Sequence, residues 1–128
     1  MIDVFPGDMQ GTSAKARPLA GYEMLVRSEV IRGRFRNSYT KPEPFVPNEP
    51  TVVRLELQDV LHTFQKGHKI MVHVCSSWFP LADRNPQKYV PNIFEAEDDD
   101  FTPATHRVFR SATRPSGIQV GVLPRRKG

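Results

Sequence analysis

The sequence predicts an all-β protein, a jelly-roll-like sandwich of roughly six or seven short strands with one unusually long loop. Three observations carry that prediction. Twelve prolines and eight glycines in 128 residues interrupt the chain too often for long helices. Two stretches read as strands: "TVVRLELQDV" (51–60), which alternates apolar and polar residues, and "HKIMVHVCSS" (68–77), which is apolar on both faces. The best helical stretch, "LQDVLHTFQKG" (57–67), is too short to stand alone and predicts a single turn closed by Gly67.

Each element follows in chain order. "MIDVF" is β-prone through Ile2, Val4 and Phe5 and reads as the tail of a strand. "PGDMQGTSAKARPLAG" (6–21) is rich in Gly, Pro and Ser and predicts a loop. "YEMLVRSEVIRGRFRNS" (22–38) is β-like without a clean polar face. Within it Arg32, Arg34 and Arg36 alternate with Ile31, Gly33 and Phe35, so a strand there would carry three arginines on one face. "YTKPEPFVPNEP" (39–50) holds four prolines and predicts an extended linker or edge segment. In 51–60, Val53, Leu55 and Leu57 point inward and Arg54 and Glu56 outward. In 68–77 both faces are apolar, which predicts a central strand. Trp78 to Pro103 is long and irregular, and "THRVFRSA" and "GIQVGVL" close the chain as a hairpin turning at "TRPSG".

Bulk properties narrow the function. One domain is the natural size for this length, with 38% apolar and 25% charged residues. The net charge is +4, and the tail "RRKG" supplies three of those charges, so the body has no basic average and nucleic acid is not an expected partner. No apolar run approaches the roughly 18 to 20 residues that cross a bilayer, and the N-terminus lacks the pattern of a signal peptide, so no membrane partner and no compartment are implied. The single Cys75 excludes an internal disulfide and a multi-cysteine metal site.

Candidate chemistry is thin. No Gly-x-Ser-x-Gly elbow exists; "GTSAK" has its first half only, and Ser76 and Ser77 lack flanking glycines. His62, His68, His73 and His106 show no metal-ligand spacing, and the ordinary role of His62 and His68, beside a turn, is capping or core hydrogen bonding. The acidic run "EAEDDD" lacks the glycine turn of a calcium loop. No metal and no cofactor is expected. The one distinctive feature is "VCSSWFPLADRNPQKYVPN" (74–92), where a strand ends on Trp78, Phe79 and Pro80 and a polar triplet, Asp83-Arg84-Asn85, follows. An aromatic there can stack on a sugar or anchor a domain interface.

The run "GHKIMVHVCSSWFPLADRNPQ", with "LQDVLHTFQKGH", "VIRGRFRNSYTKPEPFVPNEP", "DFTPATHRVFR" and "IDVFPGD", resembles the X-Pro dipeptidyl-peptidase-like, or cocaine-esterase-like, serine hydrolases. The ester hydrolase and acylase branch is most similar. The resemblance covers Ile2 to about Leu123. It implies that 1–123 form part of the family's C-terminal jelly roll, a galactose-binding-like sandwich, and that 124–128 are a basic tail. It also implies an accessory role in a serine hydrolase of dipeptidyl-peptidase, ester hydrolase or acylase type. The family's catalytic serine, aspartate and histidine lie upstream, with no matching position here, so none of the four histidines joins a triad. The implied partner is the α/β-hydrolase catalytic domain, in cis in the parent or in trans. Trp78 and Phe79 would fill a groove near the substrate approach, with Asp83, Arg84 and Asn85 orienting the contact. The family's jelly roll begins several strands before "IDVFPGD", which implies missing first strands and self-association through an open sheet edge. A free-standing carbohydrate- or ligand-binding sandwich that uses Trp78 is the alternative.

Overall fold

A computed structural model of the chain describes residues 1–7 and 19–124. The basic tail and most of the 6–21 loop, with its Gly11-Thr12-Ser13 stretch, lie outside the described residues. The all-β class holds: among the described residues there is an antiparallel sheet, three short 3-10 helices and no α-helix. None of these helices is long and apolar enough to cross a membrane.

The sheet has three strands: β1 (Ile2–Val4), β2 (Glu23–Leu25) and β3 (Lys69–Met71), in the order β2-β1-β3. β1 is therefore the centre, with Asp3 opposite Met24 on one side and Ile70 on the other. The sequence places the 68–77 stretch at the centre; instead β3 pairs only with β1, and its other edge is open among the described residues. The apolar residues Ile70, Val72 and Val74 of that stretch stand exposed instead of packed between neighbouring strands. The sheet is extended past β1 by Phe5 N–H donating to the Tyr22 carbonyl at 2.9 Å and by Val26 N–H donating to the Met1 carbonyl at 3.0 Å.

Other predicted strands form no ladder. Residues 51–60 alternate as a strand does, but no neighbour pairs with them. Alternation sets which face is apolar; it does not supply a pairing partner. In the C-terminal stretch only Ser111 and Arg114 bridge, so the chain turns at 111–114, two residues earlier than the predicted "TRPSG" and overlapping it. The arginine segment also differs. Gly33–Phe35 is a 3-10 helix flanked by Arg32 and Arg36. At about three residues per turn, alternate positions diverge, so the three arginines do not share a face. The helical turn expected before Gly67 is a plain turn. Gly67 takes φ +89°, a left-handed value suited to glycine, and His68 N–H donates to the Gln65 carbonyl at 3.1 Å.

The chain leaves much apolar surface open. A compact protein of this mass exposes about 6,900 Å²; this 14.6 kDa chain exposes 11,800 Å². No Val, Leu, Ile, Met or aromatic side chain is fully buried among the described residues. The innermost charged group is Asp3, 1% exposed.

Candidate functional site

The segment from Ser76 to Pro91 is irregular in backbone but tightly braced. Ala82 N–H donates to the Trp78 carbonyl at 2.9 Å and closes a tight turn around the cis Phe79–Pro80 bond. Asn85 Nδ2 donates to the Ser76 carbonyl at 2.8 Å, and Gln87 Nε2 donates to Ser76 Oγ at 2.6 Å. Asn85 Oδ1 also accepts from Gln87 N–H at 3.0 Å, which holds Gln87 at φ +62°. An Asn side chain mimicking a backbone turn in this way is why Asn85-Pro86-Gln87 turns here. Pro86 is buried, and its carbonyl accepts from Thr102 N–H at 2.9 Å.

Arg32 and Arg34 stitch this loop to the 3-10 helix, and Arg36 ties the helix to the 43–45 segment. Arg32 forms an ion pair with Asp83. Arg34 Nη1 donates to the carbonyls of Val90 and Pro91 at 2.7 and 2.8 Å. Arg36 donates to the Gly33 and Glu43 carbonyls at 3.0 and 2.8 Å, and its guanidinium lies 4.3 Å from the centre of the Phe45 ring. Arg84 stacks over Phe101 at 4.3 Å. These guanidinium groups are engaged within the chain.

What remains free is the tip. Phe79 and Leu81 are 70% and 72% exposed, while Trp78 is half-buried. Of the sequence-predicted site residues, Phe79 presents its side chain outward. Asp83, Arg84 and Asn85 make the internal contacts just described. They brace the loop.

The acidic run folds on itself. Asn92 Oδ1 caps the 3-10 helix Ile93–Glu95 through Phe94 N–H at 3.1 Å, and Glu97 N–H donates to Asp100 Oδ2 at 3.1 Å. Lys88 Nζ pairs with Asp100 Oδ1. The Lys88 ammonium and the Glu97 N–H hold the Asp100 carboxyl below its ordinary range, and Asp100 in turn raises Lys88. No group of three or more His, Cys, Asp or Glu side chains is arranged to hold a metal among the described residues.

One cluster escaped the sequence reading. Asp3 on β1 accepts from His62 Nε2 through Oδ2 at 2.9 Å and from His68 Nδ1 through Oδ1 at 2.8 Å. Phe5 packs on the His68 ring at 4.4 Å, and Phe64 meets His62 edge-on at 4.8 Å. Burial pushes the Asp3 carboxyl up, but the bonds from His62 and His68 and their charge outweigh it, and the group sits below its ordinary range. The core role expected for His62 and His68 is thus what they perform. Their shared acceptor lies about sixty residues away in sequence, and no local signal names it.

Comparison with known proteins agrees with this picture. Residues 3–119 match the family described as the X-Pro dipeptidyl-peptidase C-terminal non-catalytic domain. The chain is 26% identical over 126 residues to a cocaine esterase of Rhodococcus sp. (strain MB1 Bresler), covering 98% of this chain and 19% of the esterase. A solved structure of an α-amino acid ester hydrolase, labelled with selenomethionine, superposes with a TM-score of 0.69 at 46% identity over 79% of this chain and 16% of that one. The chain therefore spans less than a fifth of the length of these two relatives. The family domain is a β-sandwich, in line with the class predicted from sequence. With 117 consecutive residues matched, the chain belongs to the X-Pro dipeptidyl-peptidase C-terminal non-catalytic domain family.

Proposed function

We propose that this chain is the accessory β-domain of a serine hydrolase of the X-Pro dipeptidyl-peptidase or acyl-ester hydrolase type. It packs on the α/β-hydrolase catalytic domain of the same polypeptide and shapes the approach of substrate. Residues 1–123 form that domain and 124–128 its basic tail. The chain carries out no catalysis by itself.

The observation that carries this reading is the loop tip. Phe79 and Leu81 stand exposed on a segment that Ser76, Asn85, Gln87 and Arg32 already hold rigid. An apolar knob ordered in advance loses little entropy on docking. Its place is the seam, with Trp78 adjoining Phe79 and with Asp83, Arg84 and Asn85 keeping the shape. The open surface points the same way: the chain exposes several thousand Å² more than a compact monomer of its mass. Separated from that partner, the chain would dock on a catalytic domain in trans or self-associate through the β3 edge.

The intact mass of the protein isolated from its source, with fluorophosphonate labelling of both that protein and the 128-residue chain, tests the proposal. A larger, labelled protein and an unlabelled chain are expected. A native mass near 14.6 kDa would overturn packing in cis. Labelling of the chain alone would overturn the non-catalytic role.

A further inference from the structure

We propose that Asp3, His62 and His68 form a register lock: one buried carboxylate, held on both oxygens, fixes how β1 pairs with β3 and so where the Trp78 loop leaves the sheet. The last clause rests on the function proposed above; the register does not.

The pairing needs such a device. β1 and β3 share three residue pairs, Ile2 with Met71, Asp3 with Ile70 and Val4 with Lys69. A shift of one residue would turn every side chain to the wrong face, but a shift of two keeps the faces. That shift would set Val4 against Met71 instead of Lys69, an apolar pair in place of a mixed one, so the hydrophobic pattern does not oppose it. It would also carry β3 about 6.8 Å along the strand.

The cluster opposes it. A hydrogen bond of 2.8 Å between Asp3 and His68 cannot survive a displacement of that size. The slipped register would leave a carboxylate that is 1% exposed facing Val72, with a donor lost. His62 grips the second oxygen from outside the sheet, so Asp3 cannot rotate to follow a moving His68. A buried charge is a poor source of net stability and a good penalty on a wrong arrangement. The chain continues from His68 through β3 to Ser76, the residue that Asn85 and Gln87 grip, so register at Asp3 becomes position at Phe79.

Cross-strand disulfides read the register directly. In the full chain with Cys75→Ser, the pair Val4→Cys and Lys69→Cys reports the native register. The pair Val4→Cys and Met71→Cys reports the shift of two, because only directly opposed Cβ atoms come within disulfide reach. Each pair is placed in three backgrounds: unaltered, Asp3→Asn, and the apolar replacement Asp3→Leu with His62→Leu and His68→Leu. Intramolecular cross-links are counted by peptide mapping of dilute monomer. The shifted cross-link is expected in under about a tenth of unaltered molecules, and to rise about fivefold in the apolar variant and less in Asp3→Asn, as register loses its specification. A shifted cross-link that stays at background in both variants overturns the lock. An apolar variant that fails to fold also overturns it, because the cluster would then supply stability instead of register. A lock that passes while Phe79 proves irrelevant to docking would sink the seam alone.

Discussion

Truncating Phe79 to alanine puts the seam at risk with little effect on the domain that carries it. The ring makes none of the loop's bracing contacts, so the fold should keep its circular dichroism spectrum. Its 70% exposure leaves about 140 Å² of a phenylalanine free to be covered by a partner. At about 25 cal/mol per Å², full coverage is worth about 3.5 kcal/mol, and alanine retains roughly a third of it. The expected loss is about 2.5 kcal/mol, or about 70-fold in Kd. Calorimetric titration of the chain against a separately produced α/β-hydrolase catalytic domain of an α-amino acid ester hydrolase measures it. Leu81→Ala, equally exposed but smaller, should lose less. A change under threefold for Phe79→Ala, in a chain that is folded and binds, would refute the placement of the loop at the seam.

Other perturbations test the scaffold. Arg34→Leu removes two charge-assisted bonds to the Val90 and Pro91 carbonyls, one of them half-buried, and should lower stability by about 2 kcal/mol, a drop of about 1 M in the urea midpoint. Gly33→Ala puts a methyl group into the Phe45 ring; the ring must swing off Arg36, and thermal melting should show a loss of about 1–2 kcal/mol. Asp3 has a folded-state pKa below its ordinary value, so its contribution is complete above the ordinary carboxylate range and fades as pH falls through the lower folded value. Stability measured from pH 6 down to pH 2 should therefore fall more steeply for the native chain than for Asp3→Asn. Gln87→Gly should lower stability by under about 1 kcal/mol in the same melts, because glycine relieves the strain of φ +62° but loses the bond to Ser76 Oγ.

Much of this molecule was readable from local pattern, and what was not readable has a common cause. Ile2, Val4 and the Ile70 alternation announced strands, Gly67 announced its turn, and "WFPLADRNPQ" announced a loop. Each of those signals sits within a few residues. The failures all concern partners. Residues 51–60 carry a strand's pattern and find no ladder among the described residues, because the pattern is silent on what lies alongside. Arg32, Arg34 and Arg36 alternate as a strand would, but Gly33 permits the tight 3-10 turn and each guanidinium follows a different acceptor. Asp83 and Arg84 looked outward because nothing nearby could satisfy them; Arg32 is 51 residues away. Asp3 passed unremarked for the same reason.

The position of Asp3 has a consequence for how the chain comes to be folded. Its two donors follow it by 59 and 65 residues, and β1, the middle strand, is made before either neighbour. At about 5–20 residues per second, a ribosome needs about 3–13 s to reach His68 after Asp3. For that interval the centre of the sheet lacks its β3 flank and the carboxylate lacks its full pair of donors. Closing a loop of that length is a slow, non-local event, and until it closes, β1 is available to any other extended strand. The order of synthesis thus runs against the order of assembly, and the same carboxylate that finishes the sheet also discourages β1 from settling early against an apolar strand that offers it no proton.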